Sequence, residues 1–326
     1  MITQKLAVTI GDVNGIGLEC FVKALPFIDR SIQVVLCANV AVVEQALKQH
    51  ALLGSVHGSA LRVGSQEVLI SHIDEYVHVS PGSLDTASGA HAVASLQRAV
   101  SITVSGDCSG IVTLPLSKDV CARSGFAFPG QTEYFEHVSN TQGIMVLCSG
   151  TVRVALATIH VPLRSVVESL STGRIESIVR IFHHHLKTDR GVGLPRIAVL
   201  AVNPHAGEHG RIGCEEDTLI RPALERLSIE GYAVDGPYAA DGFFAFGDYR
   251  RYDGIVAMYH DQGLIPLKLL AEGGGVNCTA GLPLVRTSPD HGTAFSLAGK
   301  GRADSRSTVE AIHLAAEIVR MRAGKG

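Results

Sequence analysis

The stretch IAVLAVNPHAGE, residues 197–208, decides how the chain is read. From Ile197 to Val202 the residues are all apolar, without the polar alternation of a half-exposed strand. Such a run fits a strand covered on both faces, as in a parallel sheet flanked by helices. It ends at Asn203-Pro204, and His205 follows directly. The same order recurs where the apolar run 152–158 leads into His160 and Pro162, and where 254–258 leads into Tyr259 and His260. Further strand-like runs cover 6–10, 33–37, 111–114 and 144–148. Between the runs, residues 87–105, 164–186 and 216–230 carry apolar side chains at helical spacing. A last helix is expected to open on Ser307-Thr308-Val309-Glu310, a capping-box pattern, and to run to about Arg322. Strands alternating with helices predict an α/β fold with a mostly parallel sheet.

The 326 residues allow two modest domains or one large one. Punctuation falls at Ala127-Phe128-Pro129-Gly130 and at 271–275, which predicts units 1–126 with 272–326, and 127–271, packed closely about a cleft. Charged residues are 18% and the net charge is −3, which argues against a nucleic-acid binder or a cationic membrane-surface protein. The seven cysteines are scattered without a CxxC pair, which speaks against a disulfide framework and for a reducing cytoplasm. The opening MITQKLAVTIGD has too short an apolar run for a signal peptide, and no run approaches a bilayer span. A soluble, cytoplasmic protein is expected.

Ligands collect at the carboxyl ends of strands in parallel α/β sheets. Three imidazoles at such ends, His160, His205 and His260, suit Zn²⁺ or a related divalent ion. Any one of them alone could simply bond a backbone carbonyl; three equivalent placements favour the metal. The run His183-His184-His185 lies in a predicted helix, where consecutive side chains diverge, so a solvated face is expected there. The loop GDVNGIGLE (11–19) departs from the GxGxxG spacing and reads as a tight turn that could approach an anion. RTSPDHGTA (286–294) followed by AGKG (298–301) is polar and Gly-rich, and its Arg beside hydroxyls and an imidazole suits a charged ligand. Lys268 and Asn277 flank that region and could add contacts to an acidic substrate.

Taken in order, GDVNGIGLE, PLSKD, GQTEYF, TIHVPL, NPHAGEHG, ADGFF, MYHDQGLIPLK, GVNCTAGLP and RTSPDHGTAFSLAGKG span nearly the whole chain. This set resembles the 4-hydroxythreonine-4-phosphate dehydrogenase family, and its HGTA…AGKG ending is similar to the isopropylmalate and isocitrate dehydrogenases. The resemblance implies two α/β/α domains with an interdomain cleft, isopropylmalate-dehydrogenase-like, in a homodimer with shared active sites. It implies metal ligands at His160, His205 and His260, and substrate contacts at Thr132, Lys268, Asn277 and Arg286. It places NAD or NADP beside His291, Gly292, Thr293 and Ala294. Lys118 matches a family lysine, and Asp241 an acidic residue reaching across the dimer; both are candidates for the proton-accepting group. Zn²⁺ is the first expectation for the metal, with Mg²⁺, Mn²⁺ or Co²⁺ as substitutes.

The implied reaction is oxidation with decarboxylation of 4-phosphooxy-L-threonine to 3-amino-2-oxopropyl phosphate, in pyridoxal phosphate biosynthesis. Three positions depart from the family. GDVNGIGLE replaces the commoner GDPxGIGPE, Ser117 replaces Asn, and Gln131 stands where the family has a substrate-contacting His. Gln cannot become cationic. That departure keeps other substrates in view: 4-phospho-threonate or -erythronate, or a terephthalate-type cis-dihydrodiol. A non-catalytic, metal-stabilised binding protein is the alternative from outside enzymology.

Overall fold

The structure is a computed structural model that describes residues 4–271 and 273–324. In chain order the first elements are β1 (Gln4–Thr9), α1 (Gly17–Ala24), β2 (Ile32–Ala38) and α2 (Val40–Gln49). A meander of β3 (Ser55–His57), β4 (Ala60–Val63) and β5 (Gln66–His72) follows, then α3 (Thr86–Val104), β6 (Gly110–Thr113), α4 (Lys118–Arg123) and α5 (Gln131–Ser139). Next come β7 (Ile144–Ser149), β8 (Val152–Leu156), α6 (Thr172–Thr188), β9 (Arg196–Leu200), α7 (Arg221–Ile229), β10 (Ala233–Tyr238) and α8 (Ala240–Ala245). β11 (Gly254–Ala257), α9 (His260–Ala271), β12 (Val276–Ala280), β13 (Arg286–Pro289) and α10 (Arg306–Ala323) complete the order.

Two compact units result, one from residues up to Thr141 together with those from Leu282, the other from Gln142–Gly281. Neither seam sits at the Pro/Gly punctuation itself. Helix α5, beyond the first punctuation, buries Phe135 completely in a core with Ala7, Leu96 and Ile111. Strand β12, beyond the second, pairs along its length with β7.

In the first unit the strand order is β13-β6-β1-β2-β5-β4-β3, parallel from β13 to β5 and antiparallel at the β5-β4-β3 edge. In the second it is β10-β9-β11-β8-β7-β12, parallel from β10 to β8, with β7 antiparallel to both β8 and β12. Every apolar run singled out in the sequence is a strand, shifted at its ends by one or two residues.

Two helix starts differ from expectation. Helix α6 opens at Thr172 because Ser171 caps it, its Oγ accepting from Arg174 N at 3.2 Å; residues 163–169 form short 3₁₀ turns instead. In α10 the capping box does not form. Ser307 Oγ is spent on Asp290, accepting from its N at 3.0 Å and donating to its Oδ1 at 3.2 Å, and the helix already begins at Arg306.

The histidine run on α6 is only partly solvated. His184 is exposed, His183 meets Tyr232 edge-on at 4.8 Å, and His185 is buried with Nδ1 2.8 Å from Asp189 Oδ2. Six of the seven cysteines are buried, and burial pushes Cys20, Cys37 and Cys121 up to about 12. Among the described residues no helix is long and apolar enough to cross a membrane.

One buried group ties stability to pH. His91 on α3 is fully buried and its Nε2 lies 3.4 Å from Asn39 N, so the neutral ring is the acceptor. Burial pushes its pKa down to about 4. The folded state therefore keeps His91 neutral where the unfolded chain, titrating near 6.5, gains a proton. The associated stability is complete above about pH 6.5 and is lost as pH falls towards 4, costing roughly 2 kcal/mol by pH 5. Urea unfolding of the wild type and His91→Gln at neutral pH and at pH 5 measures this. A pH slope unchanged by the substitution would assign the loss elsewhere.

Candidate active site

Strands β9, β11 and β8 lie side by side and parallel, so their carboxyl ends share one edge of the second unit's sheet. His205 follows β9, His260 follows β11 and opens α9, and His160 follows β8. The rings of His160 and His260 stand 5.8 Å apart, with planes inclined at 40°. Both line a cavity of about 480 Å³, together with Thr158, Ile159, Tyr259 and Asp261. His260 Nδ1 lies 2.7 Å from Asp261 Oδ1. A carboxylate on one ring nitrogen fixes the tautomer and leaves the other, Nε2, as the ring's acceptor.

His205 shares this edge but is exposed, in a turn of unusual backbone. His205, Ala206, Gly207, Glu208 and His209 all have left-handed φ, from +44° to +76°. Non-glycine residues pay about 1–2 kcal/mol each for that conformation, and such strain gathers at functional sites. Among the described residues no three His, Cys, Asp or Glu side chains are gathered to hold an ion. Two of the three expected ligands are thus together. Paired imidazoles on one cavity, one backed by a carboxylate, fit the donor chemistry of a divalent ion.

The other expected contacts in the first unit meet at α5. Gln131 and Thr132 occupy its first turn, and Gly130 supplies no side-chain cap to the helix N-terminus, which by its dipole favours an anion. Lys118, on the first turn of α4, lies against that start: a Cβ at Gly130 would stand 3.4 Å from its Nζ and 2.9 Å from Glu133 Oε2. Arg286 on β13 is only 4% exposed. Its Nε and Nη2 donate to Thr113 Oγ1 at 3.1 and 2.8 Å, and its guanidinium lies 5.8 Å from the Phe135 ring of α5. Gln131 Oε1 is buried and accepts no hydrogen bond. In the second unit Lys268 is exposed on α9, Asp241 is exposed on the first turn of α8, and Asn277 on β12 has a buried Oδ1 without a donor.

The segment His291–Ala294 follows β13 and is built onto the GDVNGIGLE loop. Ile16 N donates to Thr293 O at 3.0 Å, and a Cβ at Gly15 would stand 2.7 Å from that oxygen, so only glycine fits there. Lys23 Nζ donates to the carbonyls of Gly301 and Ala303 at 2.9 and 3.0 Å, and Glu19 Oε1 accepts from Ala303 N at 2.9 Å. The expected dinucleotide segment 291–294 therefore packs directly on the loop 11–19.

Asp261 escaped the sequence reading although it adjoins His260 in MYHDQG; adjacency was its signal. Gln262, Thr158 and Glu216, which bond backbone at the three strand ends, had none, because backbone partners leave no mark in residue spacing.

Residues 30–315 match the family described as Pyridoxal phosphate biosynthetic protein PdxA. The chain belongs to this family. A 4-hydroxythreonine-4-phosphate dehydrogenase of Bacteroides thetaiotaomicron is 40% identical over 98% of this chain and 89% of its own. The crystal structure of such a dehydrogenase from Klebsiella pneumoniae, 35% identical, overlays with a TM-score of 0.84 over 97% of this chain and 99% of its own. A terephthalate 1,2-cis-dihydrodiol dehydrogenase from Burkholderia xenovorans, 27% identical, gives 0.63 over 96% and 98%. Family, α/β fold and enzyme class are as the motifs implied: this PdxA-family chain is a dehydrogenase, an oxidoreductase of pyridoxal phosphate biosynthesis.

Proposed function

We propose that the chain oxidises 4-phosphooxy-L-threonine with decarboxylation to 3-amino-2-oxopropyl phosphate, using NAD or NADP and a divalent ion, Zn²⁺ first among the candidates. The observation that carries the reading is the His160–His260 pair on one cavity, with Asp261 behind His260. His160, His205 and His260 hold the ion, and Asp261 fixes the His260 ring. When bound, the ion acts as a Lewis acid towards the substrate oxygen and the charge left by decarboxylation. Arg286, Lys268 and Asn277 hold the anionic ends of the substrate, with Thr132 at the N-terminus of α5. Lys118 or Asp241 takes the hydroxyl proton. His291, Gly292, Thr293 and Ala294 hold the dinucleotide, which accepts the hydride.

The chain works as a homodimer in which Asp241 reaches the partner's site. Phe246, Leu163 and Leu269 expose 86%, 73% and 77% of their surface in the second unit, and such apolar side chains suit burial against a second copy. Scattered cysteines without a CxxC pair suit a reducing cytoplasm.

Gln131 favours a second reading. Its buried, undonated Oε1 suits a substrate hydroxyl better than an anion, as in a phosphorylated sugar acid or a terephthalate-type cis-dihydrodiol. Losing a charge-assisted contact costs about 1–2 kcal/mol, or roughly a five- to thirtyfold weaker interaction. Gln131→His is therefore expected to raise kcat/KM on 4-phosphooxy-L-threonine by about that factor if this is the substrate. On a diol or sugar acid as the native substrate, the same change lowers turnover. The absorbance of reduced nicotinamide, followed for both proteins over these substrates with each dinucleotide and metal, decides between them. No turnover on any would replace the enzyme with a metal-stabilised binding protein.

A further inference from the structure

The turn that carries His205 is held from beneath by a buried carboxylate. Glu216, 1% exposed, sits in a single π-helical turn, Glu216–Ile220, just before α7. Its Oε1 accepts from Val202 N at 2.9 Å and from Asn203 N at 2.8 Å. Its Oε2 accepts from Asn203 Nδ2 at 2.9 Å, and the chain folds back so closely that a Cβ at Gly207 would stand 2.6 Å from it. One side chain thereby ties down the entry to the left-handed turn and packs closely against its middle. π-turns are uncommon and favour functional sites.

A second side chain laces the turn to its neighbour. Gln262, on the first turn of α9, accepts from Met258 N through Oε1 at 2.7 Å and donates from Nε2 to Ala201 O at 2.6 Å. Met258 is the root of the His260 segment, and Ala201 is the root of the His205 turn. These bonds lie beyond the β9–β11 ladder, whose last register pair is Val256 with Val199. On the other side Thr158 Oγ1 donates to Met258 O at 2.8 Å, linking the His160 segment to the same root. The three histidine-bearing ends are thus cross-linked: by Gln262 beyond the β9–β11 ladder, and by the backbone amide and hydroxyl of Thr158, both on Met258 O.

We propose that Gln262 and Glu216 are positioning residues of the metal site, which set the His205 turn against the His260 segment so that a third ligand can close on the His160–His260 pair. The inference rests on the metal reading above. Neither residue touches the ion. Gln262 fixes the distance between the two roots, and Glu216 fixes the path of the strained turn from its root to His205. The carboxamide suits this place because only a group with both a donor and an acceptor can bridge an amide and a carbonyl.

The test is Zn²⁺ and Co²⁺ binding to the metal-stripped full-length protein by calorimetry, with the Co²⁺ absorption spectrum as a second readout. Gln262→Met keeps the chain length and removes both bonds. Gln262→Glu keeps the acceptor for Met258 N and sets an oxygen against Ala201 O. Glu216→Gln sets an amide where Asn203 Nδ2 now donates. Each variant is expected to bind metal about ten- to a hundredfold more weakly and to give an altered Co²⁺ spectrum. Its affinity for NAD⁺ should stay within twofold, since that ligand uses the other unit's loop. Metal affinity and spectrum like the wild type's in all three variants would overturn the proposal, and so would failure of all three to fold, which would make these residues supports of the sheet alone. Absence of metal binding by the wild type itself would instead remove the metal reading on which this rests.

Discussion

Replacing His260 with Ala is expected to abolish stoichiometric metal binding and to lower kcat/KM by about a thousandfold, equivalent to roughly 4 kcal/mol of transition-state stabilisation. The magnitude follows from what the side chain holds together. His260 is one of two imidazoles facing the cavity, and its ring is fixed by Asp261 Oδ1 at 2.7 Å. On the proposed metal site, its loss removes a ligand and the partner of the Asp261 carboxylate. Asp261→Asn keeps the ligand and alters only its orientation and basicity, so the expected loss there is smaller, about ten- to a hundredfold. The rank order carries the argument: His260→Ala worst, Asp261→Asn intermediate, with bound metal measured by elemental analysis falling in the same order. Full metal content and turnover in His260→Ala would dismiss the strand-end site.

What the sequence revealed and what it hid divide along physical lines. The strands buried on both faces were legible because continuous Val, Ile and Leu leave no other placement, as in IAVLAV before His205. The meander β3–β5 was not, because its strands are short, broken by turns at Gly58 and Gly64, and partly exposed. The Ser307–Glu310 capping pattern misled because tertiary structure offered Ser307 a different partner in Asp290. Histidines at strand ends could be picked out, since position after a buried run is a one-dimensional fact. The left-handed path of residues 205–209 could not, because only one of its residues is glycine and its entry is held by backbone bonds to Glu216, seven residues beyond that run, which leave no mark in the sequence. Gln131 stands between these cases: its identity flagged a departure, while its undonated Oε1 emerged only with the fold.

Arg286 is expected to give the largest effect on substrate affinity. The side chain is 4% exposed and held in one orientation by two donations to Thr113 Oγ1, with the Phe135 ring beneath its guanidinium. A planar cation fixed this way has paid its ordering cost on folding, so its full interaction with a substrate phosphate or carboxylate appears as binding. Charge-assisted hydrogen bonds of this kind are worth about 1.5–3 kcal/mol. Arg286→Met is therefore expected to raise KM by roughly a hundredfold, and Arg286→Lys by roughly ten- to thirtyfold. Lysine keeps the charge but presents a point cation and cannot donate to Thr113 and a flat oxyanion from one rigid fork. The proposed contact would be made in ground state and transition state alike, so kcat should change by only a few-fold. Steady-state kinetics on 4-phosphooxy-L-threonine separate the terms. A fall in kcat with KM unchanged would move Arg286 from substrate binding to the chemical step, and wild-type constants in both variants would confine it to packing between Thr113 and Phe135.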